Sequence, residues 1–319
     1  MITRSLWHIS KVKSELISDD IAYNMGVDQF MLHTDYSLIS TGTEQLVSTG
    51  KVPESLYDVM SVPYMDGEFT FPIKYGYSTI GSHDGDQYHV MHPHQDSMVV
   101  NAKDAYALSE QIPSYRATLI SNIETTINAI WDADLQRDES IAICGYGNIG
   151  SLLSLTLRHF GYSDVSIIEP NAWRQEQAEQ LGFNVIGLSD QVSYDVVFNT
   201  SAREEGLQYG IDHLNPEGRV IELSWYGSKT VKLNLGADFH YKRLKLISSQ
   251  VSKISPLAPA NTTYLSRKQL AEKVLTDESF DKLITDFVPF DQSPAFYNDL
   301  RNNKLPNGCL LYTSDAADE

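Results

Sequence analysis

The stretch that decides the reading is IAICGYGNIG, Ile141–Gly150. Three apolar residues and a cysteine predict a strand, which runs into glycines at Gly145, Gly147 and Gly150. Beyond them Ile149, Leu152, Leu153, Thr156 and Phe160 recur at helical spacing up to Gly161, where a C-terminal cap is expected. A glycine-rich pattern alone is weak, but between a strand and a helix it has a mechanism. Gly145 permits a tight turn, Gly147 lets the backbone approach a pyrophosphate, and Gly150 lets helix and strand pack closely. Asn148 and Ile149 open the helix, whose free N–H groups and partial positive charge suit phosphates. The plain alternative is a structural turn with no ligand.

Working outward, the second strand ends at Glu169, about 20 residues beyond Gly150, where a carboxylate can accept ribose hydroxyls. Like-charge repulsion there disfavours a 2′-phosphate, so NAD(H) is favoured. Arg174, a surface helix cation in its bland reading, keeps NADP(H) open. Further strands are expected at "NVIG", "YDVVFNT", "GRVIELSW" and "RLKLISSQV", alternating with helices as in a parallel sheet covered on both faces. Residues 1–110 instead hold short alternating runs broken by Gly, Pro, Asp and Ser, a small β-rich domain. An amphipathic helix follows, with Leu119, Ile120, Ile123, Ile127, Ile130 and Trp131 on its apolar face. S-adenosylmethionine-dependent methyltransferases share the glycine turn and the acid; the upstream β-rich part weighs against them.

The 319 residues carry a net charge of −18, which repels nucleic acid and anionic lipid and suits a solvated surface. No apolar run approaches the length of a membrane span, and the N-terminus lacks an apolar core with a cleavage site. A cytoplasmic protein without membrane or nucleic-acid partners is expected. Two cysteines, Cys144 and Cys309, make neither a disulfide framework nor a zinc knuckle. The last eleven residues, CLLYTSDAADE (309–319), resemble a translated sequencing-library adapter and are set aside. Without their three acidic residues the chain stays strongly acidic.

Read in order, "YSLISTGTE", "GYSTIG", "ETTINAIWDA", "CGYGNIG" and "ELSWYG" followed by "SSQV" resemble a medium-chain dehydrogenase/reductase over nearly the whole chain. The nearest likeness is to zinc-poor members, threonine-dehydrogenase-like and similar to bacteriochlorophyllide hydroxyethyl dehydrogenases. The resemblance implies an α/β fold: a GroES-like β-barrel domain (1–122 and 257–319) and an inserted Rossmann doubly wound parallel sheet (123–256). It places the active site in the cleft between them and implies a homodimer through the Rossmann sheet edge. In zinc-bearing relatives three ligands come from segments that here read Thr41-Gly42-Thr43-Glu44, Gly76-Tyr77-Ser78 and the "ETTINA" containing Glu124. Thr41 and Tyr77 are poor substitutes for zinc ligands, and the four-cysteine structural lobe has no counterpart, so zinc is not expected.

Without a Lewis acid, proton transfer falls to side chains. Thr43 corresponds to the proton-relay hydroxyl, or is a turn residue; the next relay member, a histidine, corresponds to Leu46. Glu44 orients the loop, contacts ribose, or is structural. Tyr77 is a phenolic donor or a half-buried aromatic. Glu124 is a desolvated acid/base or a helix-terminal carboxylate. Thr41 and His94 are substrate-contact candidates, and His92 and His94 together are too few to hold a metal. Asn199, Thr200, Ser224 and Trp225, at the carboxyl ends of strands, are cofactor candidates, as by the same logic are Ser248, Ser249 and Gln250. Tyr226 is an aromatic substrate wall or simple packing. The leading expectation is a zinc-independent NAD(H)-dependent oxidoreductase interconverting an alcohol and a carbonyl on a small-molecule organic substrate. The alternatives are an NAD(P)H-dependent reductase of activated double bonds or quinones, and a non-catalytic nucleotide-binding redox sensor.

Overall fold

A computed structural model describes residues 2–21, 25–236, 238–302, 304 and 310–314. It divides into two compact units. One comprises the chain up to Ser121 with the described residues from Ile284 onward; the other is Asn122–Leu283. Residues 257–283, assigned by the sequence to the barrel domain, lie in the second unit. They contribute the helix Tyr264–Val274, opened by a capping box in which Thr263 and Ser266 satisfy each other's backbone N–H.

In the second unit six strands form one all-parallel sheet: Ile141–Cys144, Val165–Ile168, Asn184–Val185, Tyr194–Asn199, Leu214–Glu222 and Lys245–Ser248. Numbered along the chain, they lie in the order 3-2-1-4-5-6, the doubly wound dinucleotide-binding topology. Ile141–Cys144 is buried along its whole length, as a central parallel strand must be. The following helix, Asn148–His159, buries Gly150–Leu157 and ends at Gly161, which takes φ +90°. Ala142, Cys144, Val197, Leu207, Ile211 and Val220 share a core.

The first unit is mainly antiparallel. Gln29–Ile39 is its hub, pairing with Ser97–Asn101 over its first half, Thr79–His83 in the middle and Leu310–Ser314 at its end. Asp86–Val90 and Ala105–Ala107 extend this sheet on one side, and Ile284–Pro289 joins Leu310–Ser314 in parallel on the other. A smaller sheet pairs Ile2–Ser10 with Lys13–Asp20 and Ile73–Lys74. The tail set aside in the sequence reading therefore supplies a strand; its residues 309 and 315–319 lie outside the described ones. No helix among the described residues is long and apolar enough to cross a membrane.

Candidate active site

The glycine turn shows why each glycine stands where it does. Gly145 has φ +94°, and a Cβ there would lie 2.9 Å from the Ser201 backbone. A Cβ on Gly150 would lie 2.1 Å from the Gly145 carbonyl oxygen and 2.7 Å from Thr200 Oγ1. Both glycines are demanded by the chain itself. Gly147 is different: at φ −81° it caps the helix without a side-chain acceptor, and a Cβ there would stand in ordinary contact with the Arg174 guanidinium, 3.8 Å away. The fold leaves room there for something to approach the backbone. Thr200 donates to the Gly145 oxygen at 2.8 Å and so pins the turn.

Glu169 is buried beneath this turn. One carboxylate oxygen accepts the Tyr146 N–H at 2.7 Å, and the other accepts the Asn171 N–H at 2.9 Å. Arg174 Nη1 stands 3.5 Å from the first oxygen. Arg174 thus lies beside both Glu169 and Gly147, a more specific place than a surface cation needs. Asn171 caps the helix that carries it, accepting the Arg174 N–H at 3.1 Å. The open Gly147 backbone, the uncapped helix start and the acid at the second strand's end fit a dinucleotide.

At the carboxyl end of the fourth and fifth strands, Asn199 donates to Glu222 at 2.7 Å and to the Tyr226 hydroxyl at 3.1 Å. Tyr226 itself donates to Glu222, and its ring packs on the second unit's core. Its hydroxyl is engaged there, and its half-buried ring packs on that core. Burial and the neighbouring Glu222 carboxylate raise its phenol pKa. Ser224 accepts the Ala202 N–H at 2.9 Å, and Trp225 beside it is half-buried. Ser249 donates to Asp132 at 2.6 Å, Gln250 accepts from Ser252, and Ser248 is exposed.

In the first unit, Thr41-Gly42-Thr43-Glu44 opens a helix, Thr41–Ser48. Thr41 and Thr43 are half-buried. The Tyr77 phenol stands near the hydroxyls of Ser40 and Thr43, and burial pushes its pKa up to about 12. It therefore stays protonated across the neutral range and can donate. Glu44 has no exposed surface: it accepts the Ser40 N–H and pairs with His94 Nε2, both at 2.8 Å, and accepts the Tyr297 hydroxyl. His94, expected to touch substrate, is also fully buried, its Nδ1 bonded to Ser37 at 2.6 Å. The structure corrects that expectation: both ring nitrogens serve the domain interior. His92 is buried too, against the Tyr64 ring, and burial lowers its pKa to about 3.

Glu124 lies on the helix Ile120–Ala133 in the second unit. Arg267 Nε donates to it at 3.2 Å, and Arg267 Nη1 donates to Asn128 at 3.0 Å. Burial raises the Glu124 pKa despite the opposing Lys268 and Arg267 charges, and burial lowers that of Lys268. Among the described residues no three His, Cys, Asp or Glu side chains group around a space for a metal ion, and Thr41 and Tyr77 are not zinc donors. Among the described residues, Thr41 and Tyr77 at the expected ligand positions do not fit a zinc centre.

No protein-family model matches the chain. It is similar to a D-guloside 3-dehydrogenase of Escherichia coli strain K12, 24% identical over 227 residues, 64% of each chain. The match thus spans a little under two thirds of that relative. Among solved structures it is similar to a protein described as a short chain alcohol dehydrogenase of E. coli CFT073 in complex with NADH, at TM-score 0.75 and 14% identity, covering 98% of this chain and 99% of that one. It is equally similar in sequence to S. aureus TarJ in complex with NADPH, at TM-score 0.73 and 14% identity, with the same coverage. The relatives and structural neighbours are named as dehydrogenases, two of the neighbours as zinc-binding ones. At such identities the structures speak to the fold, which is a GroES-like half-barrel with a Rossmann unit.

Four residues in these clusters, two in each unit, escaped sequence reasoning. Glu222 was legible in principle, as an acid ending a strand that points to the ligand side of the sheet. Ser40, Arg267 and Tyr297 were not, since only chain folding brings them to Tyr77, Glu124 and Glu44.

Proposed function

We propose that the protein is a zinc-independent nicotinamide-dependent oxidoreductase interconverting an alcohol and a carbonyl, in the zinc-poor, threonine-dehydrogenase-like branch of the medium-chain enzymes. The observation that carries this is the Gly145–Gly150 turn in a 3-2-1-4-5-6 sheet, with Gly147 open and Glu169 at the second strand's end. In this reading the Gly147 backbone and the start of the helix Asn148–His159 hold the pyrophosphate, and Glu169 with Arg174 faces the adenosine ribose. NAD(H) is favoured by the carboxylate, and Arg174 is the group through which NADP(H) would be accepted. The cofactor, when bound, supplies or accepts a hydride.

The chain's own part is the proton. Thr43 would hydrogen-bond the substrate oxygen, and Tyr77, near Thr43 and held protonated by burial, would restore the proton lost to the forming alcohol. Glu124, raised by burial and paired with Arg267, is a second acid/base candidate. Kinship with a guloside dehydrogenase and an alcohol dehydrogenase supports a hydroxyl/ketone pair as the reacting group. Dimerisation would use Lys245–Ser248, the edge strand of the sheet.

The test is loss of NADH absorbance with a panel of ketones, enones and quinones, alongside metal analysis of the purified protein. Turnover of ketones without bound metal is the expected result. Turnover of enones or quinones alone would favour the double-bond reductase. NADH binding with no turnover would leave a nucleotide sensor, and stoichiometric zinc would defeat the metal-free mechanism.

A further inference from the structure

The helix Thr41–Ser48 holds Thr43 through contacts that come from the far end of the chain. Its first backbone donor, Ser40 N–H, is satisfied by Glu44 Oε1 rather than by a capping side chain. The other oxygen of Glu44 meets His94 Nε2 at 2.8 Å and the Tyr297 hydroxyl. Tyr297 lies on the helix Ser293–Arg301, is fully buried, and sets its ring edge-on to His8 at 4.7 Å. Two more bonds join the same pair of helices: Gln45 Nε2 to the Leu300 carbonyl at 3.0 Å, and Arg301 Nε to the Ser48 carbonyl at 3.2 Å. The C-terminal helix therefore grips the Thr43 helix at three successive points, and the grip nearest Thr43 is a fully buried carboxylate.

A buried carboxylate is expensive unless every lone pair is used, and once satisfied it admits few alternative geometries. Leucine or methionine at position 44 could fill the volume but would not hold one orientation. We propose that Tyr297 is a positioning residue: with His94 it clamps Glu44, fixes the helix Thr41–Ser48 and thereby holds the Thr43 hydroxyl against Tyr77. This rests on the proposed role of Thr43 and Tyr77 in proton transfer, whereas the clamp itself does not.

The experiment uses Tyr297→Phe in the full chain, which keeps the ring and removes the hydroxyl. Backbone amide exchange is read across the whole protein, with kcat and KM on whichever ketone the wild type reduces. Exchange over residues 43–48 should rise about tenfold, with the strand Gln29–Ile39 and the NADH affinity unchanged. In parallel kcat should fall about tenfold at unchanged KM, a loss of about 1.4 kcal/mol in the chemical step. Exchange that is unchanged, or that rises equally throughout the first unit, overturns the proposal, as does an unchanged kcat. Should Tyr297→Phe be insoluble, Glu44→Gln, which keeps an acceptor for Ser40 N–H and removes the clamped charge, is judged by the same criteria. A wild type that reduces no ketone defeats the oxidoreductase reading alone, and the exchange pattern then decides the clamp.

Discussion

Adding one methyl group at each of two glycines separates folding from cofactor binding. In Gly150→Ala the new Cβ would stand 2.1 Å from a backbone oxygen and 2.7 Å from Thr200 Oγ1. Neither can withdraw cheaply, because Thr200 is bonded to that same oxygen at 2.8 Å. Overpacking of this kind costs about 1–3 kcal/mol. At ~2–4 °C per kcal/mol for a unit of this size, melting should fall by about 2–12 °C. In Gly147→Ala the backbone is already at φ −81° and the nearest atom is 3.8 Å away. Alanine is a poorer helix cap than glycine, so a cost below ~1 kcal/mol and a shift of a few degrees are expected. The methyl nevertheless occupies the approach to the backbone, so NADH affinity should fall by at least about tenfold, or ~1.4 kcal/mol. Thermal melts and NADH fluorescence titrations of both variants give the four numbers. Wild-type affinity in Gly147→Ala would show that nothing approaches that backbone, and the cofactor assignment would collapse.

Arg174→Ala should weaken NADPH binding by about tenfold and leave NADH within about twofold, measured by titration of both; equal losses would show Arg174 does not face a 2′-phosphate. Tyr77→Phe should lower kcat by about 100-fold, with little change in NADH affinity, if the phenol is the proton donor; a kcat within a few-fold of wild type would remove Tyr77 from the mechanism. His8 and His92 are lowered to about 3 from 6.5, in both cases chiefly by burial, with Arg301 also acting on His8. Both stay neutral in the fold while the unfolded chain takes up protons below 6.5, so stability falls as pH drops from 6.5 towards about 3. Each contributes a slope of ~1.4 kcal/mol per pH unit. Melting temperature against pH should show this decline, and His92→Phe should make it shallower; an unchanged slope in that variant would contradict the buried neutral imidazole.

The parallel-sheet half of the fold was legible because its signals are local. A strand, a glycine turn and a helix are contiguous in Ile141–Gly161, and the acid at Glu169 follows at a fixed spacing. The six expected strands all formed, and the conformations of Gly145 and Gly150 follow from the backbone each must adopt. Residues 257–283 were harder to place, since Tyr264–Val274 is a largely polar helix whose apolar pattern points to no particular neighbour.

What the residues alone determined is therefore the doubly wound sheet, its glycine turn and the choice of hydroxyl and carboxylate groups as candidates, because propensity, periodicity and motif spacing act over a few tens of residues. Which of those groups meet was decided only in three dimensions. Glu44 and His94 became an interior clamp because Tyr297, 253 positions away, closes on them. The Tyr226 hydroxyl meets Asn199 and Glu222, a contact that only the folded chain makes. Burial and hydrogen-bond saturation, which set whether a polar side chain can reach a ligand, are properties of the packed chain and leave no mark on the spacing of its residues.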